Sequence, residues 1–401
     1  MITAPGRSRA LRSRRAASIF TVLLLSAISL SSAARLPAQS AQESFPAAWR
    51  SVLDGFAQRI AADVATDTIG GITAGVVIGD RIVWARGFGY ADRDRKIAAN
   101  ENTIYRIGSI SKSFTAVALM QAAQRGVLKL EDPVEKYLPT TARFADPRPG
   151  AAPPTLRQLA SHTAGLIREP ALDGAATGPI THWEDKVIAS IPRTRFDTVP
   201  GARYAYSNIG FGVLGLAVSR ASATPFIELV EDKIFKPLGM SSSTFIITDR
   251  LKSNLSVGYQ NGRTGINTDG PAREHDGRGY KVPNGGIYST VGDLAKFIGA
   301  MNGALGDRLL NASDRAAMLR IQTPGSTTQG YGLGFSINQS SNGRRIIGHG
   351  GSVAGYTAHL VFDPDARVGV VLLRNYGSGR TALARASADL LRDLLAAAVP
   401  R

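Results

Sequence analysis

Cysteine is absent from this chain of 401 residues, which excludes disulfides, thiolate metal sites and a lipid-modified N-terminal cysteine. Histidine is also scarce, with five residues and no pair at the H-x-x-x-H spacing of a zinc-binding helix. The G-x-x-x-x-G-K loop that cradles phosphates and the G-x-S-x-G elbow of α/β-hydrolases are missing too. The sequence therefore predicts neither a metal nor a cofactor.

The N-terminal apolar run "AASIFTVLLLSAISL" is shorter than the roughly 20 residues that span a bilayer as a helix. Five arginines precede it and the small residues "SSAAR" follow, which is the order of a secretory signal. We therefore predict a cleaved signal peptide over 1–34, in preference to a membrane anchor, and general secretion in preference to a twin-arginine route. The mature protein is expected to be periplasmic or secreted, without a stable membrane span and not as a lipoprotein.

The net charge of +16 includes five arginines before Ala34, a region without acidic residues, so the rest of the chain carries +11. This charge is spread along the chain, with no basic run and no interleaved aromatic residues. A solvated basic surface is the simplest interpretation, and nucleic acid is not expected as a partner. Contact with anionic cell-envelope polymers is the alternative.

Strand patterns lie at both ends of the mature chain and helical patterns lie between them. "GITAGVVIGDRIVWARGFGYAD" reads as two strands joined at Gly79 and Asp80, and "YGLGFSIN", "RRIIGHGG", "YTAHLVFDP" and "RVGVVLLRN" read as successive strands. We predict an α/β fold of the α+β type, with an antiparallel sheet built from both terminal segments, flanking helices and an inserted helical lobe. The catalytic domain is placed at 45–401, with an α/β lobe at about 45–108 and 285–401 and a helical lobe at about 109–284.

A hydroxyl and an ammonium stand at the start of the apolar helix pattern "IYRIGSISKSFTAVALMQAAQRG". Ser109 and Lys112 are separated by three residues, so their side chains share one helix face and can meet. A serine becomes nucleophilic when a base takes its proton, and a desolvated lysine can be such a base. The backbone N–H at the helix start can also stabilise an oxyanion. Alone, the pattern is more often an N-cap serine followed by a surface lysine, so further motifs are needed to support catalysis.

Two further motifs accompany this pair. "YAYSNIGFG" places Tyr206 and Asn208 in a loop before an apolar helix, where a phenol can act as a base and an amide can orient a ligand or the lysine. A neighbouring ammonium is expected to lower the pKa of this phenol. "GHGGSVAGYTAHLVF" places His349 and Gly351 at the start of a strand, where glycine lets a ligand approach the backbone. His162, in "LASHTAGL", is interpreted as structural.

Together these motifs resemble the serine β-lactamase and penicillin-recognising enzyme superfamily, in the branch of class C β-lactamases, D,D-peptidases and related esterases. The S-x-x-K element is present, and Tyr206-Ser207-Asn208 resembles the Y-x-N element of that branch. The segments "LEDPVEKYLP", "TLRQLASHTAGL", "FKPLGMSSSTF" and "NGGIYSTVGDLAKF" resemble parts of the same branch in the same order. The resemblance covers most of the mature chain.

The resemblance implies that Ser109 is the acylated nucleophile and that Lys112 and Tyr206 share its proton. Asn208 would contact the substrate, and the backbone N–H groups of Ser109 and Ser352 would form the oxyanion hole. The implied activity is hydrolysis of a small amide or ester, such as a D-amino-acid peptide, amide or ester. The alternatives are a class C-like β-lactamase and a penicillin-recognising sensor that turns over little.

The third motif departs from the family pattern, because His349-Gly350-Gly351 replaces Lys-Thr-Gly. A histidine with an ordinary pKa of about 6.5 would bind a substrate carboxylate at pH 6 and lose that attraction by pH 8. We therefore expect His349, Gly351 and Ser352 to bind substrate, and we expect weak β-lactam hydrolysis.

Overall fold

The computed structural model describes residues 45–145, 152–262, 265–341 and 343–397. The predicted signal peptide at 1–34 lies outside these residues. The strands are β1 (Gly71–Ile78), β2 (Arg81–Asp92), β3 (Ile97–Ala98), β4 (Tyr105–Arg106), β5 (Gln260–Gly262), β6 (Gly265–Asn267), β7 (Tyr288–Ser289), β8 (Gln329–Tyr331), β9 (Ser336–Gln339), β10 (Arg345–Val353), β11 (Tyr356–Asp363) and β12 (Val368–Arg374). The α-helices are α1 (Arg50–Asp67), α2 (Ser111–Gln124), α3 (Leu156–Ala160), α4 (Trp183–Ser190), α5 (Asn208–Ser222), α6 (Phe226–Val230), α7 (Lys236–Leu238), α8 (Asp249–Lys252), α9 (Asp269–Arg273), α10 (Val282–Gly285), α11 (Val291–Met301), α12 (Ala312–Met318) and α13 (Leu383–Ala397).

The hairpin predicted at Gly79 and Asp80 is confirmed, since β1 ends at Ile78 and β2 begins at Arg81. Gly79 has a φ of 64°, a backbone conformation that glycine adopts without steric cost. β1 is buried along nearly its whole length, because the sheet is covered on both faces.

The main antiparallel sheet joins the two ends of the described chain, in the order β3-β2-β1-β12-β11-β10-β9-β8. β1 pairs directly with β12, from Ile72 opposite Arg374 to Ile78 opposite Val368. The predicted fold class, an antiparallel sheet built from both terminal segments and flanked by helices, is confirmed.

Two apolar layers cover the sheet, and alternate residues of one strand enter different layers. Val370 and Leu372 of β12 pack with α1 and α13, whereas Val371 and Leu373 join the larger core around α2 and α11. α13 shows the corresponding one-sided pattern, because Leu390, Leu391 and Leu394 recur at helical spacing and are buried.

The segment "YGLGFSIN" is two strands rather than the single strand predicted from its sequence. A turn separates β8 from β9, closed by the Gly332 N–H donating to the Phe335 carbonyl at 2.8 Å, and Gly334 has a φ of 76°. The Ser113 hydroxyl donates to the Gly334 carbonyl at 2.6 Å. The turn therefore packs directly on α2, and this tertiary contact explains the break.

The chain leaves the sheet through β4 and returns through β7, which pair with Tyr105 opposite Ser289. Between them, α5 and α10 pack against α2, which is buried from Ser111 to Ala122. A helix enclosed on all sides needs no polar face, so "SFTAVALMQAA" is apolar or small almost throughout. The lobe boundaries at about 109 and 284 stay predictions.

No single helix of the described ranges is long and apolar enough to cross a membrane. Asn208–Ser222 and Phe226–Leu238 meet the length and composition criteria only as a pair, which is bent by 82°.

Candidate active site

Ser109 lies in the 3₁₀ turn Gly108–Ile110 that leads into α2. Gly108 has a φ of 53°, and a β-carbon there would lie 2.7 Å from the Ser352 backbone nitrogen. A β-carbon on Gly351 would lie 1.9 Å from the Ile107 carbonyl oxygen. Glycine at these positions therefore lets β10 meet the turn backbone to backbone, which brings Ser352 beside the nucleophile turn.

Lys112 is fully buried and contacts the Ser109 hydroxyl. Its Nζ donates to Ser109 Oγ at 3.0 Å, to Asn208 Oδ1 at 2.8 Å and to the Asn284 carbonyl at 3.2 Å. Burial and then the nearby Arg278 guanidinium hold the pKa of Lys112 well below its ordinary value. None of these three contacts is a carboxylate, so the amine can be neutral and take a proton from Ser109.

Tyr206 lies on the other side of the serine. Its phenol hydrogen-bonds with the Ser109 side chain, and Lys112 Nζ lies 4.8 Å from the centre of its ring. Burial raises the pKa of Tyr206, although the Ser109 hydrogen bond and Arg168 oppose this change. The expectation of a lowered phenol pKa is therefore wrong, because desolvation outweighs the neighbouring positive charges. A phenol that keeps its proton can donate it to a leaving group.

Asn208 is the first residue of α5, and the neighbouring Ser207 caps that helix by accepting from the Gly210 N–H at 2.9 Å. The Asn208 amide is held on both sides. Its Oδ1 accepts from Lys112, while its Nδ2 donates to Glu169 Oε1 at 2.6 Å. The amide orientation follows from these contacts, since only its oxygen can accept from Lys112.

Glu169 holds this amide and is itself fixed by neighbouring side chains. Besides the Asn208 amide, its carboxylate accepts from the Tyr280 hydroxyl and pairs with Lys281 Nζ at 3.1 Å. Asn284 closes the same network, because its Nδ2 donates to the Asn208 carbonyl at 2.9 Å and its own carbonyl accepts from Lys112.

His162 packs against the loop that carries Tyr206. Its carbonyl accepts from the Ala205 N–H at 2.7 Å, and its Nδ1 accepts from the Ser207 N–H at 3.1 Å. Its ring centre lies 4.1 Å from that of Tyr206. Burial, with the Lys112 charge, lowers the pKa of His162 well below its ordinary value, which matches its acceptor role. His162 thus accepts a hydrogen bond from the residue before Tyr206 and one from the residue after it, which fixes the backbone on both sides.

His349 lies in β10 and is buried, with 4% of its surface exposed. Its Nδ1 donates to the Gly350 carbonyl at 2.6 Å, so its Nε2 accepts from the Tyr331 hydroxyl at 2.8 Å. Burial and the Lys112 charge lower the pKa of His349 to about 3. The expected titration between pH 6 and 8 is therefore wrong, because both ring nitrogens are engaged in a desolvated, neutral imidazole.

The structure thus brings Ser109, Lys112, Tyr206 and Asn208 into direct contact and places Gly351 and Ser352 against the Ser109 turn. His349 lies in the same strand, β10, and its ring contacts the Tyr331 hydroxyl. Glu169, Asn284 and Tyr331 also belong to the site, although the sequence did not single them out, and His162 supports Tyr206 from a position expected to be structural. Glu169 follows the quoted segment "TLRQLASHTAGL" by three residues, and its position there was the one available signal.

The chain is similar to known proteins over most of its length. A protein-family model described as Beta-lactamase matches residues 56–393. The D-alanyl-D-alanine-carboxypeptidase/endopeptidase AmpH of Escherichia coli (strain K12) is 28% identical over 317 residues, which cover 76% of this chain and 78% of that protein.

Two solved structures are similar over most of the chain. An octameric penicillin-binding protein homologue from Pyrococcus abyssi has a TM-score of 0.71 and 27% identity, covering 86% of this chain and 77% of that one. A D-stereospecific amidohydrolase from Streptomyces sp. has a TM-score of 0.67 and 25% identity, covering 84% and 98%. Because the family model matches most of this chain, the chain belongs to the Beta-lactamase family and is a serine hydrolase of the β-lactamase/transpeptidase-like superfamily.

Proposed function

We propose that this protein is an exported serine hydrolase that forms an acyl-enzyme at Ser109 and hydrolyses small amides or esters of D-amino acids. The observation that carries the proposal is the buried Lys112, whose Nζ lies 3.0 Å from Ser109 Oγ. A lysine without a carboxylate partner in such a place serves as a base, since burial disfavours its ammonium form.

The geometry supports a two-step reaction. In acylation, Ser109 Oγ attacks the substrate carbonyl carbon while Lys112 and Tyr206 take up the hydroxyl proton as one unit. The oxyanion accepts hydrogen bonds from the backbone N–H groups of Ser109 and Ser352. The C–N or C–O bond then breaks, and the leaving atom receives the proton from Tyr206. In deacylation, water repeats the attack on the ester carbon and the proton returns to Ser109.

The substrate class is supported by the names of relatives and by the third motif. The Escherichia coli relative is named as a D-alanyl-D-alanine carboxypeptidase and endopeptidase, and the Streptomyces structure as a D-stereospecific amidohydrolase. The neutral His349 supplies no cation for the carboxylate that a β-lactam carries, which favours amides and esters that lack a carboxylate.

Export follows from the predicted signal peptide at 1–34. The substrate would then be a small molecule or peptide outside the cytoplasm. The positive charge spread over the remaining chain would favour contact with anionic cell-envelope polymers.

A turnover panel tests the proposal. D-Amino-acid amides, D-Ala-D-Ala peptides, short-chain esters and a chromogenic β-lactam are compared in steady state with the wild-type protein and with Ser109→Ala. We expect sustained turnover of D-amino-acid amides or esters, lost in Ser109→Ala. Preferred turnover of the β-lactam would instead indicate a β-lactamase, and a single burst of acylation without turnover would indicate a sensor.

A further inference from the structure

A cleft of about 450 Å³ is lined by Tyr204, two residues before Tyr206, and by Tyr331, whose hydroxyl contacts His349. Its described lining includes two tyrosines, a proline and three uncharged polar side chains: Tyr204, Pro324, Gln329, Tyr331, Ser336 and Asn338. We call it the uncharged cleft, because none of its described lining residues is acidic or basic. The phenols also remain neutral at ordinary pH, since burial raises the pKa of Tyr204 to about 12 and that of Tyr331 well above its usual value.

Its walls connect it to the catalytic residues. Tyr331 donates its hydroxyl to His349 of the third motif. The Tyr204 ring lies 5.9 Å from the Tyr331 ring and 5.9 Å from the His162 ring, which itself lies beneath Tyr206. The rings of Tyr204 and Tyr331 thus belong both to the wall of the uncharged cleft and to the cluster of rings around His162 and Tyr206.

The unpaired edge of β10 leads toward the uncharged cleft. β9 pairs with β10 only from Arg345 to Gly348, and the last pair joins Ser336 to Gly348. Beyond this point the residues of β10 that approach the Ser109 turn have no partner strand on this side in the described chain. A substrate lying along that edge would therefore reach the uncharged cleft at Ser336.

The leaving group is the part of the substrate that belongs on this side. The leaving atom must lie within hydrogen-bond reach of Tyr206, which returns the proton, so the group attached to it extends toward Tyr204 and Tyr331. Asn208, which is hydrogen-bonded to Lys112 and to Glu169, is left to contact the acyl group.

We propose that the uncharged cleft is the leaving-group subsite and that it selects a bulky uncharged group, such as an aryl or an amidated residue, over one that ends in a carboxylate. This inference rests on the proposed function and specifies its substrate. Tyr204 contributes its exposed ring face, and the amides of Gln329 and Asn338 can hydrogen-bond with neutral polar groups. A carboxylate would lose hydration there without meeting a cation in the described lining.

Arg168, beside Tyr206, is a rival anchor for a carboxylate. Its guanidinium carbon lies 4.8 Å from the centre of the Tyr206 ring, and its side chain is 66% exposed. An exposed arginine in this position holds an anion weakly in water, so we expect it to add little discrimination.

The experiment compares two anilides of D-alanine of equal size, the 4-carbamoylanilide and the 4-carboxyanilide, with the small D-alanine methyl ester as reference. We expect wild-type kcat/KM to be about tenfold higher for the carbamoylanilide, a ratio that corresponds to about 1.4 kcal/mol. Gln329→Lys places a cation in the subsite and should raise the carboxyanilide relative to the carbamoylanilide about fivefold.

Tyr204→Ala should lower kcat/KM about tenfold more for the anilides than for the methyl ester, while Tyr204→Phe should retain most of the activity. Tyr90→Ala is the matched control, because Tyr90 is equally exposed, at 42% against 43%, and lies in β2 near the other end of the sheet. Equal rates for the two anilides, or a preference for the carboxyanilide that Arg168→Gln abolishes, would overturn the inference.

The methyl ester separates failure of the inference from failure of the proposed function. If it acylates Ser109 but the anilides show no charge preference, the subsite assignment is wrong and the catalytic assignment stands. If none of the three substrates acylates Ser109, the proposed function is wrong and the subsite assignment is wrong as well.

Discussion

Glu169 and Arg168 are chain neighbours of opposite charge, and both act on the pKa values of the catalytic pair. The negative charge of Glu169 raises the pKa of Lys112 and of Tyr206, whereas the positive charge of Arg168 lowers both, within the larger effect of burial. Replacing either residue by glutamine removes its charge and keeps a side chain of similar size. The two substitutions should therefore move the pH dependence of kcat/KM in opposite directions.

The size of the Glu169 effect follows from the geometry. A single amide separates the carboxylate from Lys112 Nζ, through hydrogen bonds of 2.6 Å and 2.8 Å. Glu169 is 39% exposed, so an effective dielectric constant of about 40, between those of protein surface and water, discounts for solvent screening. Over a separation of about 7 Å this gives about 1.2 kcal/mol, or close to one pH unit.

In Glu169→Gln, both limbs of the pH profile should shift to lower pH by up to about one unit, because both pKa values fall when the negative charge is removed. The loss of charge-assisted hydrogen bonds to Asn208 and Tyr280 should also lower kcat about tenfold to a hundredfold. Arg168→Gln should shift both limbs to higher pH by about half a unit or less, since its charge is more exposed.

The assay is kcat/KM for a neutral D-amino-acid ester between pH 5 and pH 10, with thermal melts of each variant as a check on folding. Glu101→Gln, at an exposed turn position before β4, is the matched control and should leave the profile unchanged. Shifts of the same sign in Glu169→Gln and Arg168→Gln, or a loss of rate without any shift, would refute the electrostatic account of this pair.

Three further predictions concern the proton pair, the third motif and a buried ion cluster. Lys112→Ala and Tyr206→Phe should each remove most of kcat, and the double variant should lose far less than the product of the two; multiplicative losses would contradict a shared proton. Carboxylate-bearing and neutral substrates should have parallel pH profiles between pH 6 and 8, because His349 stays neutral; divergence there would restore a titrating His349. Glu274→Gln should lower the free energy of unfolding by about 3 kcal/mol in a denaturant titration, because Arg106 and Arg278 lose their shared carboxylate; an unchanged midpoint and slope would show that this cluster adds no stability.

The parts of the fold that could be predicted depend on local signals. The β1–β2 hairpin was predictable because Gly79 and Asp80 interrupt two strand patterns, and α13 because its leucines recur at helical spacing. The break between β8 and β9 was not, since it depends on contacts of Gly334 with α2, more than 200 residues away in the chain.

The same distinction holds for the candidate site. Ser109, Lys112, Tyr206 and Asn208 stand in short motifs whose residue types suit acyl transfer, so the sequence could nominate them. Glu169 could not be nominated, because its contact with Asn208 spans 39 residues.

The state of His349 was also beyond the sequence. Its neutral form depends on the Tyr331 hydroxyl, supplied by another strand, and on burial by the surrounding fold. Its residue type alone suggested titration near neutral pH, whereas its environment excludes it.

The measurement that tests the central claim most directly is the position of the covalent adduct. The protein is incubated with a fluorophosphonate or an activated D-amino-acid ester, quenched in acid and mapped by peptide mass spectrometry. We predict one adduct per chain on Ser109, absent in Ser109→Ala and formed much more slowly in Lys112→Ala. An adduct on Ser111 or Ser207, or labelling that persists in Ser109→Ala, would contradict the account.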